Sequence, residues 1–253
     1  MGVDAATGNT WQIAPNARQP DNRGSLVLAN GSGGGRDNVF ITSSDGGGER
    51  IIGMHPEDAY PSWSPSGDSA AFSSTIADGK ERVYVQWDLT QQEEPTLVKV
   101  GNADVFGRNP TWMDNGRIAY TGCNYWAEGS QCGIWAVTAD NSAEPYRLSD
   151  QADDVSSDSF GGNLLYQSRA TGNWDVYIVP ASGGTPRNLT NSPSQDSGAT
   201  FSPDGRSVAF MSDRDGSWGI WIMGIDGSNP QKVLAVPGGF GADWPNERLS
   251  WST

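Results

Sequence analysis

The chain of 253 residues has one histidine, His55, and two cysteines, Cys123 and Cys132. A single imidazole removes most Ser-His-Asp triads, zinc clusters and His-carboxylate metal sites unless His55 itself serves. His55 lies in GMHPEDAY, a polar segment before a strand pattern, and reads as an exposed loop residue. No apolar run approaches the length of a membrane-spanning helix. No signal-peptide pattern is visible, and the opening MGVDAATG is expected to mark the edge of a domain cut from a larger protein. Positive charge is scarce: 16 Lys and Arg against 30 Asp and Glu give −14 at pH 7. That balance argues against nucleic acid and against an anionic membrane surface. Cationic partners, neutral sugars or peptides, or plain solubility remain.

What the chain has in quantity is turn formers and aromatics. Thirty-three Gly, 15 Pro and 11 Trp beside only 18% charged residues suit short aromatic strands joined by frequent turns, and long helices do not give this profile. The length suits one large all-β domain or two small ones, and a compact chain of this size folds without staples.

One motif recurs: an aromatic, Ser-Pro, Asp-Gly, a variable pair, then a small residue and an aromatic. FSPDGRSVAF (201–210) matches WSPSGDSAAF (63–72); WMDNGRIAY, FGGNLLY, PDNRGSLVL and WPNERLSW are shorter or degenerate copies. Their closing residues, Leu28, Phe72, Tyr120, Tyr166, Phe210 and Trp251, stand 44, 48, 46, 44 and 41 apart. Each copy leads into a turn (SRATGNW, SDRDGSW), an alternating strand (VYVQWD, DVYIVP, GIWIMG), a second turn and a fourth strand. Period-two alternation marks half-buried strands, and a period of ~40–50 residues with four strands per unit is the propeller signature. The last copy carries two strands, and the N-terminus offers two more around a turn at 4–9. Joined, they would complete one blade and leave no open edge. The expected fold is therefore all-β: a single domain over 1–253, a closed six-bladed propeller of four-stranded antiparallel blades. The blade boundaries fall near 16–58, 59–105, 106–153, 154–195, 196–238, and 239–253 with 1–15.

FSPDGRSVAF followed by SDRDGSWGIWIM resembles the TolB-type propeller repeat. The resemblance covers nearly the whole chain and implies the fold, but no single activity, because such propellers serve many functions. It also implies an extracytoplasmic setting, since related propellers occur as outer sensor domains of bacterial Ser/Thr kinases, as scaffolds for secreted peptidases, and as docking partners within the envelope.

Cys123 ends one strand and Cys132 begins the next, so antiparallel pairing sets them opposite each other at disulfide distance. A loop of about ten residues closed this way is worth roughly 2.5–3 kcal/mol on the chain-entropy estimate. A disulfide implies a periplasmic, cell-surface or secreted protein. The loop holds Tyr125 and Trp126, pinned either for structure or as a contact surface.

In a propeller the segments entering each inner strand share a face with the loops between second and third strands, and that face is the expected ligand mouth. Entering segments supply Arg18, Tyr60, Phe106, Arg108, Asp153, Asp154, Asp196 and Phe240, with Asp58, Asp104 and Asp243; the loops supply Tyr125, Trp126, Trp174 and Trp218. The carboxylates read as turn-forming side chains or as an acidic mouth for a basic peptide or Ca²⁺, with Asp58, Asp154 and Asp196 the metal candidates. Trp174 and Trp218 read as blade packing or as a stacking platform. Asp213 and Asp215 in SDRDGSW belong to the repeat's own turn chemistry. Asn30 (NGS) and Asn188 (NLT) fit glycosylation acceptors in form only.

These residues support a non-catalytic binding or sensor module for a peptide, protein or glycan. Alternatives are a docking scaffold of an envelope complex, or a sugar lyase or hydrolase pairing Asp153 or Asp154 with Asp58 or Asp196.

Overall fold

The computed structural model describes residues 2–252 except 5, 8, 15, 32–37, 54, 92 and 124–130. Among the described residues five four-stranded antiparallel sheets follow one another along the chain, with no α-helix. Blade one comprises Ala17–Arg23, Leu26–Gly31, Asn38–Ser43 and Arg50–Ile51. Blade two comprises Ala59–Trp63, Ala70–Ser74, Arg82–Gln86 and Thr96–Leu97. Blade three comprises Gly107–Trp112, Arg117–Cys123, Cys132–Thr138 and Tyr146–Arg147. Blade four comprises Val155–Phe160, Asn163–Ser168, Asp175–Pro180 and Arg187–Asn188. Blade five comprises Asp196–Phe201, Ser207–Ser212, Gly219–Gly224 and Gln231–Ala235. The repeat motif is the hairpin of the first two strands in each: Phe201 pairs with Val208 across the Ser-Pro-Asp-Gly turn, and Trp63 with Ala70 across the equivalent turn.

The inner strands lie side by side in chain order, and apolar clusters fill the spaces between blades. Phe72 and Tyr84 stack between blades one and two; Tyr120 and Trp135 sit between two and three. Each fully buried large side chain contributes roughly 1.5–3 kcal/mol of transfer free energy. A second device repeats. An inner-strand side chain accepts the backbone N–H of the next blade: Asp21 from Trp63 (2.8 Å), Ser62 from Trp112 (3.0 Å), and Asp158 from Phe201 (2.8 Å).

The six-bladed closure expected from the sequence is not what forms. The N-terminal hairpin exists, Gly2–Val3 pairing with Thr10–Trp11, but that two-stranded ladder is joined to no other sheet. The residues expected to bring two strands from the other end bring none. Trp244–Asn246 make a 3-10 turn instead of a hairpin, and residues 248–252 run on as a single unpaired passage. The Oγ of Ser250 there accepts the N–H of Asn22 at 2.7 Å, the same link that Ser62 makes to Trp112. WPNERLSW thus takes the place of one inner strand, with Trp251 matching Trp63 rather than Phe72. One passage where two strands were expected leaves no second strand to carry a ladder across to the N-terminal hairpin. A cavity of about 650 Å³ remains there, lined by Val3, Trp11, Ala29, Met211, Ile220 and Trp251.

Candidate functional site

The register breaks in all five inner strands; in four of them two residues bulge out of the ladder, and in blade four one does, Ser157. In those four the first bulge residue has positive φ: Gln19 (52°), Tyr60 (56°), Asn109 (53°) and Gly198 (57°). Glycine and asparagine adopt this region readily, whereas glutamine and tyrosine do so at a cost of order 1–3 kcal/mol. In the tail, the position matching Tyr60 is Arg248.

Arg248 is buried at the centre of the ring. Its Nη1 donates to the Pro61 carbonyl (3.3 Å), and its Nη2 to the Pro110 carbonyl (2.8 Å) and Thr111 Oγ1 (3.3 Å). Burial pulls its pKa down, while Asp21 and Asp158 act in the opposite direction. Burial pushes Asp158 up to about 7, with the Asp21 charge adding to the rise. Asp21 is likewise raised by burial, against its bond from Trp63 and the attraction of Arg248. None of these three stood among the sequence-level site residues. The visible signal was an arginine in the slot held by Gln19, Tyr60 and Asn109 elsewhere.

The tail crosses the entering mouth before reaching the centre. Arg18 donates to Glu247 (Nε, 2.7 Å) and to Asp243 (3.0 Å), and Gln167 donates to the Pro245 carbonyl at 2.6 Å. Trp244 packs on Trp218 (centroids 4.8 Å) and edge-on to Trp174 (6.2 Å), and Phe240 packs on Trp218 (5.6 Å). Three of the expected ligand aromatics thus form a clasp that seats the tail. Tyr60 stays half-buried at this mouth and accepts Gln19 as partner: its N–H donates to Gln19 Oε1 at 3.2 Å. Burial raises its hydroxyl pKa, Asp243 and Glu81 add to that, and Arg108 opposes it. Burial also raises Glu81, again with Arg108 opposing. Phe106 lies beneath the Arg82 guanidinium, 4.4 Å from its ring centroid.

The carboxylates are held blade by blade. Asp58 Oδ2 accepts the His55 N–H (3.1 Å), and Asp196 Oδ1 accepts from Arg214 (3.1 Å). Asp104 accepts from Arg82 (3.2 Å). Asp154 is buried, which pushes its pKa up to about 6, and Asp153 is exposed. The metal candidates Asp58, Asp154 and Asp196 are not brought together. Among the described residues no group of three or more His, Cys, Asp or Glu is arranged to hold an ion. Asp215 accepts the Ser217 N–H, which is turn chemistry, whereas Asp213 accepts the N–H of Gln195 at 2.9 Å and so ties its loop to the segment entering the same blade. Asn188 bonds to Asp175 and Tyr177, and Asn30 sits within the second strand of blade one, so neither stands free on a loop. Cys123 and Cys132 are register partners and form a disulfide. Tyr125 and Trp126 lie outside the described residues.

The opposite, strand-exit mouth is open. A cavity of about 380 Å³ there is lined by Asp21, Asp158 and Arg248 with Trp112 and Phe160.

No curated protein matches the chain at the level of sequence. Among solved structures it is similar to a TolB-designated protein from Agrobacterium tumefaciens (TM-score 0.71, 20% identity, 93% of this chain and 86% of that one). It is also similar to TolB from Acinetobacter baumannii (0.61, 18%, 85% and 51%), of whose length it spans about half. An oligogalacturonate lyase from Vibrio parahaemolyticus matches as well (0.58, 13%, 88% and 66%). At these identities the likeness is one of fold. A family model described as the TolB beta propeller domain matches residues 109–241, more than half of the sequence. The chain belongs to the TolB β-propeller domain family.

Proposed function

We propose that this propeller is a non-catalytic binding or sensor module of an extracytoplasmic protein, and that it engages a peptide, protein or glycan at its entering mouth. Tyr60 carries this reading. A bulky aromatic is held at φ 56° beside the channel opening, with Gln19 bonded to its backbone and Arg108, Glu81 and Asp243 facing its hydroxyl. Strain kept at a rim of mixed charge suits a surface shaped for a partner. The disulfide supports the compartment, because such bonds persist where the surroundings are oxidising. The carboxylates once paired as acid and base support the non-catalytic part, because Asp58 and Asp196 each have a fixed partner within their own blade.

The test is a thermal-shift screen of the oxidised protein against basic peptides, glycans, and Ca²⁺ with an EDTA control. A ligand that binds only the native state raises the melting temperature by mass action. A saturable rise with a peptide or glycan that Tyr60→Ala abolishes is the expected result. A rise that Tyr60→Ala leaves intact overturns the placement, and no rise with any probe overturns the module.

A further inference from the structure

The cavity at the strand-exit mouth, about 380 Å³ in volume, has a polar floor and aromatic walls. Its floor holds Asp21 and Asp158, half-buried as residues, and Arg248, which is 6% exposed. The guanidinium's two terminal nitrogens donate to backbone carbonyls of blades two, three and four, and among the described residues neither forms an ion pair with a carboxylate. Two acidic groups therefore face one cation that is already engaged elsewhere, and each makes the other harder to ionise. The Nε of Arg248, a residue that lines this cavity, is buried and has no hydrogen-bond partner among the described residues. An orphaned buried donor is costly and calls for an acceptor. The walls are Trp112, half-buried, and Phe160, 40% exposed; Trp112 is braced edge-on by Trp87 at 5.9 Å.

We propose that this cavity binds an organic cation that also carries an oxygen acceptor. Its ammonium or guanidinium faces Asp21 and Asp158, its acceptor takes the Arg248 Nε hydrogen, and its alkyl stem lies against Trp112 and Phe160. Each part of the ligand answers a separate feature. The cation balances the surplus carboxylate, the acceptor satisfies the orphaned donor, and the aromatic faces attract both charge and stem. A lysine or arginine side chain of a peptide presents this chemistry, and so does a small amino alcohol. The site lies at the other end of the channel from Tyr60 and does not depend on the partner surface proposed there.

Calorimetric titration of the oxidised chain tests it with four probes: Nα-acetyl-lysine methylamide, 5-amino-1-pentanol, the neutral Nα-acetyl-norleucine methylamide, and CaCl₂. Saturable binding of the lysine derivative alone identifies a peptide side chain as the natural source, and binding of both amines identifies a small amine; either supports the site. Asp158→Asn keeps an acceptor for the Phe201 N–H while removing the charge, and should weaken the amine about tenfold or more. Phe160→Ala, at an exposed wall, should weaken it without affecting folding, and serves if the first variant melts early. Binding at the Tyr60 face is expected to survive both changes. Three results would overturn the proposal: no saturable heat from either amine, equal binding of the norleucine derivative, or Ca²⁺ binding that excludes the amines.

Discussion

Arg248 donates to the main-chain carbonyl of Pro110 at 2.8 Å, so a charge from the tail is fixed to the inner strand of blade three across the channel. The same guanidinium reaches Pro61 in blade two. With a longer bond to the Ser156 carbonyl of blade four (3.5 Å), one side chain ties the unpaired tail to three blades that the tail's backbone does not pair with.

Removing that tie should be expensive. Arg248→Ala leaves three carbonyls, of Pro61, Pro110 and Ser156, without their donor and removes the positive charge that acts on Asp21 and Asp158. Leaving a buried acceptor without its donor costs about 1–3 kcal/mol each. Urea unfolding should show that loss, with Arg248→Lys recovering part of it. A change within experimental error would mean the tail is not held at the centre.

Asp158 gives stability a pH dependence of defined sign. The folded protein holds its proton up to about 7, whereas the unfolded chain releases it near the ordinary aspartate value of 3.8. Between these values the native state binds more protons, so stability falls as pH rises through the window and levels off above it. Asp21 and Arg248 face this carboxyl, and Asp21 shifts in the same direction. Urea midpoints should therefore decline from about pH 5 to 7, and Asp158→Asn should flatten the decline. An unchanged slope in the variant would place the dependence elsewhere.

The disulfide spans a sequence separation of nine residues. On the chain-entropy estimate its loss costs roughly 2.5–3 kcal/mol, or about 5–10 °C in melting temperature for a domain this size. Reduction, or the double change of Cys123 and Cys132 to Ser, should each give that loss. Equal melting temperatures with and without reductant, together with labelling of free thiols, would contradict the bond and the compartment it supports.

The aromatic clasp predicts coupling. Trp174→Ala and Trp244→Ala each break the same edge-on contact, so the pair should destabilise by less than the sum of the singles. Strict additivity in a double-mutant cycle would show that the rings act independently.

The inner hairpin motif was legible because it is local. Aromatic, Ser-Pro, Asp-Gly and the alternating strand after it depend on turn chemistry and period two, and FSPDGRSVAF folds as that pattern requires. The last copy was misread because WPNERLSW has aromatics at both ends and fits either a hairpin or one passage. Only the link from Asn22 to Ser250 decides its register, and that link joins residues 228 apart. The packing of the loop tryptophans was open in the sequence for a related reason. Trp174 and Trp218 repeat at matching positions and read as either packing or platform, but the ring that packs on both of them, Trp244, comes from the tail. Asp21 and Asp158 passed unnoticed because a carboxylate that accepts a neighbouring blade's N–H looks in sequence like any polar strand residue, such as Ser62 in the same role.

The central claim is that the entering mouth binds a partner, and isothermal titration of the oxidised chain with a panel of basic, neutral and acidic peptides, repeated with Tyr60→Ala, tests it most directly. The account predicts saturable binding that favours basic peptides, weakens with salt because the chain carries −14, and is lost in the variant. Binding that is indifferent to peptide charge and unaltered by Tyr60→Ala, or no binding by any peptide, would contradict it.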